Sequence, residues 1–134
     1  MCAMLSNQTI AEICWGATGT LLKHWGHDFG RWEDLLPVAR DALEGMTQHT
    51  RLGCGLEDSH RAWCEIMAAA GWSYADIRNE PRLCHPWLCE WPRLDEGSRL
   101  FFKMTYHIVV FLALEYPEGS DFAWGLTPRR LPAT

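Results

Sequence analysis

The chain has no excess of proline, few basic residues and no long apolar run, and each of these excludes something. Seven prolines in 134 residues, beside 48% hydrophobic composition, argue against a disordered adaptor. Twelve Lys and Arg against 17 Asp and Glu leave a net charge of -5. A surface of that sign lacks the phosphate-neutralising bases that sequence-blind DNA or RNA binding needs, so neither is expected as a partner. The longest apolar run, Ile108 to Leu114, is far short of the ~20 residues that cross a bilayer, and reads as part of a core helix. No charged segment followed by an apolar stretch and a small-residue cleavage site opens the chain, so a cytoplasmic location is expected. The six cysteines, Cys2, Cys14, Cys54, Cys64, Cys84 and Cys89, then read as free thiols. Gly53 and Gly55 lack the further glycines and the Lys-Ser/Thr pair of a phosphate loop. Cys84, His85 and Cys89 have no second short-spaced cysteine pair to complete a tetrahedral zinc shell, so no metal is expected. No Ser or Cys nucleophile stands at a specified spacing from a histidine, so no catalytic set is assigned.

What is present is aromatic. Eight tryptophans are many for this length, and each is a large apolar plate with a single donor. The length suits one domain with one core, spanning residues 1–134. The pattern predicts an all-α fold of four main helices, with a long aromatic-anchored loop between the third and fourth.

The first helix is expected over Thr9 to Trp25, capped by Ser6 or Asn7. Ile10, Ile13, Cys14, Ala17, Leu21 and Trp25 form its apolar stripe. His24 to Gly30 reads as a turn. The second helix is expected from Trp32 or Glu33 to Met46, starting later if Pro37 occupies its first turn. Leu35, Leu36, Ala39, Leu43 and Met46 supply its inner face. A third helix, His60 to Ala70, follows an Asp58 or Ser59 cap and stops at Gly71. Between Trp72 and Arg93, Pro81, Pro86 and Pro92 break any helix, leaving room for a helical turn or a brief strand pair. Asp95 caps a fourth helix over Glu96 to Glu115. Its main stripe is Leu100, Met104, Ile108 and Phe111, joined by Phe101, Val109 and Leu112. Pro117 ends it, and the tail over 117–134 packs partway through Phe122, Trp124 and Leu126.

An ordered set of residues runs through the second half: His60, Trp63, Gly71-Trp72-x-Tyr74, Arg78, Arg82, His85-Pro86, Trp91, Leu94 and Arg99, then the closing helix. In this set the chain resembles the ryanodine-receptor-type repeat (RyR) domain, in its small free-standing bacterial or phage form. The resemblance covers residues 59–114, and helices one and two, 9–46, look like the N-terminal extension of free-standing members. It departs at Ala75, Asn79, Glu90 and Phe102, where the family has a glycine, an acidic residue, a proline and an aspartate. Two carboxylates fewer imply a site retuned to a different ligand, or a loop without one. The family is mostly helical and its channel copies are non-catalytic. Free-standing members have been suspected of sensing nucleotide-derived ligands.

The residues themselves leave two readings. Trp72, Tyr74 and Trp91 can form a stacking platform for a planar ring, with Arg78, Arg82 and Lys103 meeting phosphates. Equally, the aromatics fold the loop onto helices three and four while the bases face solvent. His60 and His85 fit either a ligand contact or a hydrogen bond to a loop carbonyl. The function expected is a non-enzymatic binding module for a small, anionic, nucleotide-like ligand, built on Trp72, Tyr74, Arg78, Arg82, His85, Trp91 and Lys103, with no cofactor. The alternative is a protein-interaction module that docks a peptide or forms a homo-oligomer.

Overall fold

The computed structural model describes residues 3–115 and 121–122. The expectations for Pro117, Trp124 and Leu126 of the tail, and for Cys2, lie outside these residues. Four helices carry the fold: α1 (Asn7–His24), α2 (Pro37–Arg51), α3 (Leu56–Ala69) and α4 (Glu96–Glu115). Short strands pair in two places. β1 (Ala3–Met4) runs antiparallel to β4 (Asp121–Phe122), and β2 (Ser73–Tyr74) runs parallel to β3 (Cys84–His85). The long loop between α3 and α4 therefore contains the brief strand pair its composition allowed.

Ser6 caps α1, its Oγ accepting the Thr9 amide at 3.1 Å, and Lys23 and His24 close the helix where its dipole favours cations. The buried face is Ile10, Ala11, Cys14, Trp15, Thr18 and Leu22. This corrects part of the expected stripe, of which Ile10 and Cys14 are buried as expected. Ile13, Leu21 and Trp25 are 40%, 47% and 61% exposed, and Ala17 is exposed too. Two apolar faces compete on this helix. The inner one wins because it carries the Trp15 indole and because Thr18 satisfies its hydroxyl within the helix, on the Cys14 carbonyl at 2.6 Å.

Trp32–Asp34 forms a separate 3-10 turn, and Pro37 opens α2 with Leu36 extended before it. The second helix thus starts later than its apolar pattern and runs on to Arg51. α3 also starts earlier than expected, after Gly55, with Glu57 and Asp58 in its first turn. Ser59 is no cap; it is buried and receives a hydrogen bond from Thr50 Oγ1 at 2.8 Å. Gly45 lets α2 and α3 approach closely, since a Cβ there would run into the Ile66 side chain. Gly71, at φ +94, ends the α3 segment in the left-handed region.

Asp95 caps α4 as expected, Oδ1 accepting the Ser98 amide at 2.7 Å. The inner face, however, is Phe101, Phe102, Thr105 and Val109. Phe101 and Val109 were expected on the apolar face, but Leu100, Met104 and Ile108 are half-buried and Phe111 is 54% exposed, so the main stripe lies about one position off. Among the described residues, one segment, Glu96–Leu114, is long and apolar enough by length and composition to cross a membrane, with mean hydropathy 1.2. It packs one face against the other three helices.

Trp87 stands at the centre of the aromatic core. Its ring lies 5.2 Å from Phe101 in a stacked pair, with Phe102, Phe29, Trp63 and His85 at 5.1, 5.4, 5.7 and 5.0 Å. The loop is therefore pinned to α3, α4 and the turn after α1 by one indole.

Candidate binding clefts around Trp72

Two histidines grip the backbone of Trp87. His60, on the first half of α3, donates from Nε2 to the Trp87 carbonyl at 3.0 Å. The Trp87 amide donates to His85 Nδ1 at 3.1 Å. An Nδ1 that accepts places the proton of neutral His85 on Nε2, and no hydrogen bond to that Nε2 occurs among the described residues. Burial, then the charge of Arg78, pulls His85 down to about 4, so it is neutral near pH 7. Burial lowers His60 as well, against the opposing effect of its Trp87 bond. His60 thus bonds a loop carbonyl, whereas His85 accepts a loop amide and bonds no carbonyl.

The loop fold divides the expected site residues. The larger share of the aromatic core opens into a first cleft of about 570 Å³, lined by Trp63, Trp72, Trp87, Phe29, Arg78 and His85 among others. A second cleft of about 630 Å³ lies beyond Trp72 and takes Tyr74, Trp91, His60, Arg61, Cys64 and Cys89. Trp72, 5% exposed, lines both. The expected trio of Trp72, Tyr74 and Trp91 shares the second cleft, but the ring of Tyr74 already carries the Arg93 guanidinium, 5.0 Å from its centroid. The Tyr74 hydroxyl is bonded to Asp76, which raises its pKa. Arg78 and His85 belong to the first cleft instead, Arg78 paired with Glu80. Arg82 and Lys103 are exposed and line neither cleft.

Sequence reasoning missed Trp87 and Trp63 as cleft walls, and Asp28 and Phe29 altogether as site residues. Phe29 was visible as an apolar residue set in a glycine-bounded turn, where a large ring needs something to cover. Asp95 was assigned only as a cap, yet it also lines the first cleft.

The second cleft contains a Cys–His pair, Cys64 Sγ lying 3.4 Å from His60 Nε2. It is not poised as a nucleophile. Burial, followed by the charges of Cys89 and Glu65, pushes the Cys64 thiol up to about 12, and its S–H points to the Trp87 carbonyl at 3.6 Å. Among the described residues, no three His, Cys, Asp or Glu side chains gather as metal ligands would.

No protein-family model matches the chain, and comparisons with curated proteins and with solved structures return no significant match.

Proposed function

We propose that the protein is a non-enzymatic module that holds a small nucleotide-like molecule in the first cleft, for sensing or sequestration in the cytoplasm. One observation carries this reading: Trp72, Arg78 and His85 meet Trp63 and Trp87 around about 570 Å³ of space. That volume falls in the range of ~300–1,000 Å³ usual for small-molecule sites, which are mostly apolar with a few convergent polar groups. Trp63, Trp72 and Trp87 line this space while only 2%, 5% and 7% exposed, so they supply an apolar wall rather than open stacking faces. Arg78 is partly exposed and can exchange Glu80 for a phosphate, a doubly bonded partner of the same charge sign. The RyR-type pattern over residues 59–114 belongs to the same reading, since its Trp72, Arg78 and His85 are the cleft's own residues.

Calorimetric titration tests it, against mononucleotides, cyclic mono- and oligonucleotides and ADP-ribose-type molecules. At least one micromolar binder is expected. Arg78→Gln should weaken it about tenfold while leaving the urea midpoint in place, because an exposed ion pair adds little to folding. A panel without a single binder rejects the proposal.

The outer face of α1 supports a second reading, a protein-interaction module. Ile13, Ala17, Leu21 and Trp25 repeat every four residues and are all exposed. Such a stripe is the face an amphipathic helix offers to a groove or to a second copy. Sedimentation velocity of the wild type and Leu21→Glu decides it: a dimer that the glutamate dissociates favours this reading, and a monomer at all concentrations rejects self-association.

A further inference from the structure

Tryptophans wall the first cleft, and the indole N–H is a donor that a buried tryptophan ordinarily pairs. Trp15 follows that rule, donating from Nε1 to the Gly30 carbonyl at 3.0 Å. Trp63, Trp72 and Trp87 do not: among the described residues none of their N–H groups has a hydrogen-bond partner. His85 adds another such donor. Its Nδ1 accepts the Trp87 amide at 3.1 Å. A backbone amide can only donate, so the ring proton sits on Nε2, and among the described residues nothing accepts it there. These donors are not sealed in. Among the described residues, Thr105 Oγ1 alone is fully enclosed without a partner. Trp63, Trp87 and His85 line the first cleft and not the second, so the first cleft is the space their N–H groups open on. The His85 ring is wedged by Trp63, Trp72 and Trp87, at 5.2, 6.3 and 5.0 Å, which holds its donor in one direction. Neutral N–H groups held in place call for lone pairs, not for charge or for a stacking partner.

We propose that this cleft recognises a planar ring by carbonyl oxygen on its edge, received by His85 Nε2–H and by the indole N–H groups of Trp63 and Trp87. A carbonyl oxygen stands out from its ring and offers lone pairs to more than one donor, so it can meet N–H groups set in a wall of packed indoles. The ligand class is an oxo-substituted nucleotide, of the hypoxanthine or uracil kind. A ring without that oxygen covers the donors and leaves them unpaired, which is how a hydrogen-bonding site rejects an analogue. This rests on the nucleotide reading above and adds the edge by which the ring is read.

Matched pairs isolate that edge. Inosine monophosphate has a ring carbonyl where purine riboside monophosphate has hydrogen, and UMP has one where CMP has an amine. In calorimetric titration the oxo member of at least one pair should bind about tenfold more tightly. His85→Asn keeps a side-chain oxygen for the Trp87 amide and loses the Nε2 donor, and in it the preference should fall at least about threefold. If urea denaturation shows the variant unfolded, nitrogen NMR of the wild-type histidines carries the test. His85 should be the Nε2–H tautomer, and the oxo member should shift its Nε2–H signal downfield. Equal binding of both members of each pair to the wild type overturns this proposal and leaves the nucleotide reading standing. A preference unchanged in His85→Asn, or an Nδ1–H tautomer, overturns it too. Inorganic phosphate binding as tightly as the nucleotides shows an anion site only and has the same consequence. Failure of these probes and of the wider nucleotide panel alike removes both.

Discussion

Replacing Trp87 by alanine should bring the domain close to unfolding. The side chain is 7% exposed, so nearly all of its surface is removed from water on folding. A tryptophan buries ~150–250 Å². At ~25 cal/mol per Å² that corresponds to about 4–6 kcal/mol, of which the alanine methyl retains under 1. The ring contacts with Phe101, Phe102, Phe29 and Trp63 are lost together. The surrounding rings are themselves held by other contacts and can only partly fill the space, so the cost should lie near the upper end of ~3–5 kcal/mol for large aromatic truncations. The hydrogen bonds from His60 and to His85 use the Trp87 backbone and remain available, so they do not enter the sum. Urea unfolding followed by far-ultraviolet circular dichroism measures the loss. Trp25→Ala is the internal control, being 61% exposed and expected to cost under about 0.5 kcal/mol. Should Trp87→Ala fail to fold, Trp87→Phe, expected to lose about 1–2 kcal/mol, takes its place. A Trp87→Ala loss below about 2 kcal/mol, or one no larger than that of Trp25→Ala, refutes the central place given to this indole.

Acid should weaken the fold before the carboxylates titrate. His85 is held at about 4 against an ordinary 6.5, so the unfolded chain takes up its proton first; stability is full above pH 6.5 and falls as the pH drops towards 4, by roughly 3 kcal/mol over the window. His60, lowered by burial, acts in the same direction, and urea midpoints unchanged between about pH 7.5 and pH 5 would contradict both. Thr105 Oγ1 is buried without a hydrogen-bond partner, so Thr105→Val should raise stability by ~1 kcal/mol in the same assay; a loss of that size means the hydroxyl is satisfied. Thiol titration under native conditions should find Cys14 and Cys64 slow to react, because burial pushes both up to about 12, and all six cysteines reactive once the freshly prepared protein is denatured.

Local signals with a single physical solution were legible in the sequence. Ser6 before a helical run, Asp95 three residues before Ser98, and glycine after Ala70 each solve one backbone problem, and each stands where it was expected. Helix rotation was not legible for α1 and α4. Both carry apolar residues on more than one face, and the choice rests on partners distant in sequence: Trp15 meets Phe101 at 5.2 Å, and His60 meets Phe102 at 4.7 Å. Position 102 was noted for a missing aspartate, yet its phenylalanine is a packing residue, 1% exposed. The aromatic residues of the loop were identified as a set, but not their division. Trp72, Tyr74 and Trp91 do share a cleft, whereas Arg78 and His85 line another, a division that no local spacing in the loop announces. Asp28 and Phe29 reach the site from a turn some forty residues earlier in the chain, a proximity that only the fold creates.

Because the indole of Trp72 is a party wall, the two clefts it separates are not independent compartments. Any occupant that needs the ring to tilt enlarges one side and narrows the other by the same movement. Two ligands that each tilt it towards the other's side are then antagonists, and the factor by which the first weakens the second must equal the factor by which the second weakens the first. A ligand that fits the resting position of the ring carries no such message. The exchange rests on one side chain and needs no change in the helices around it.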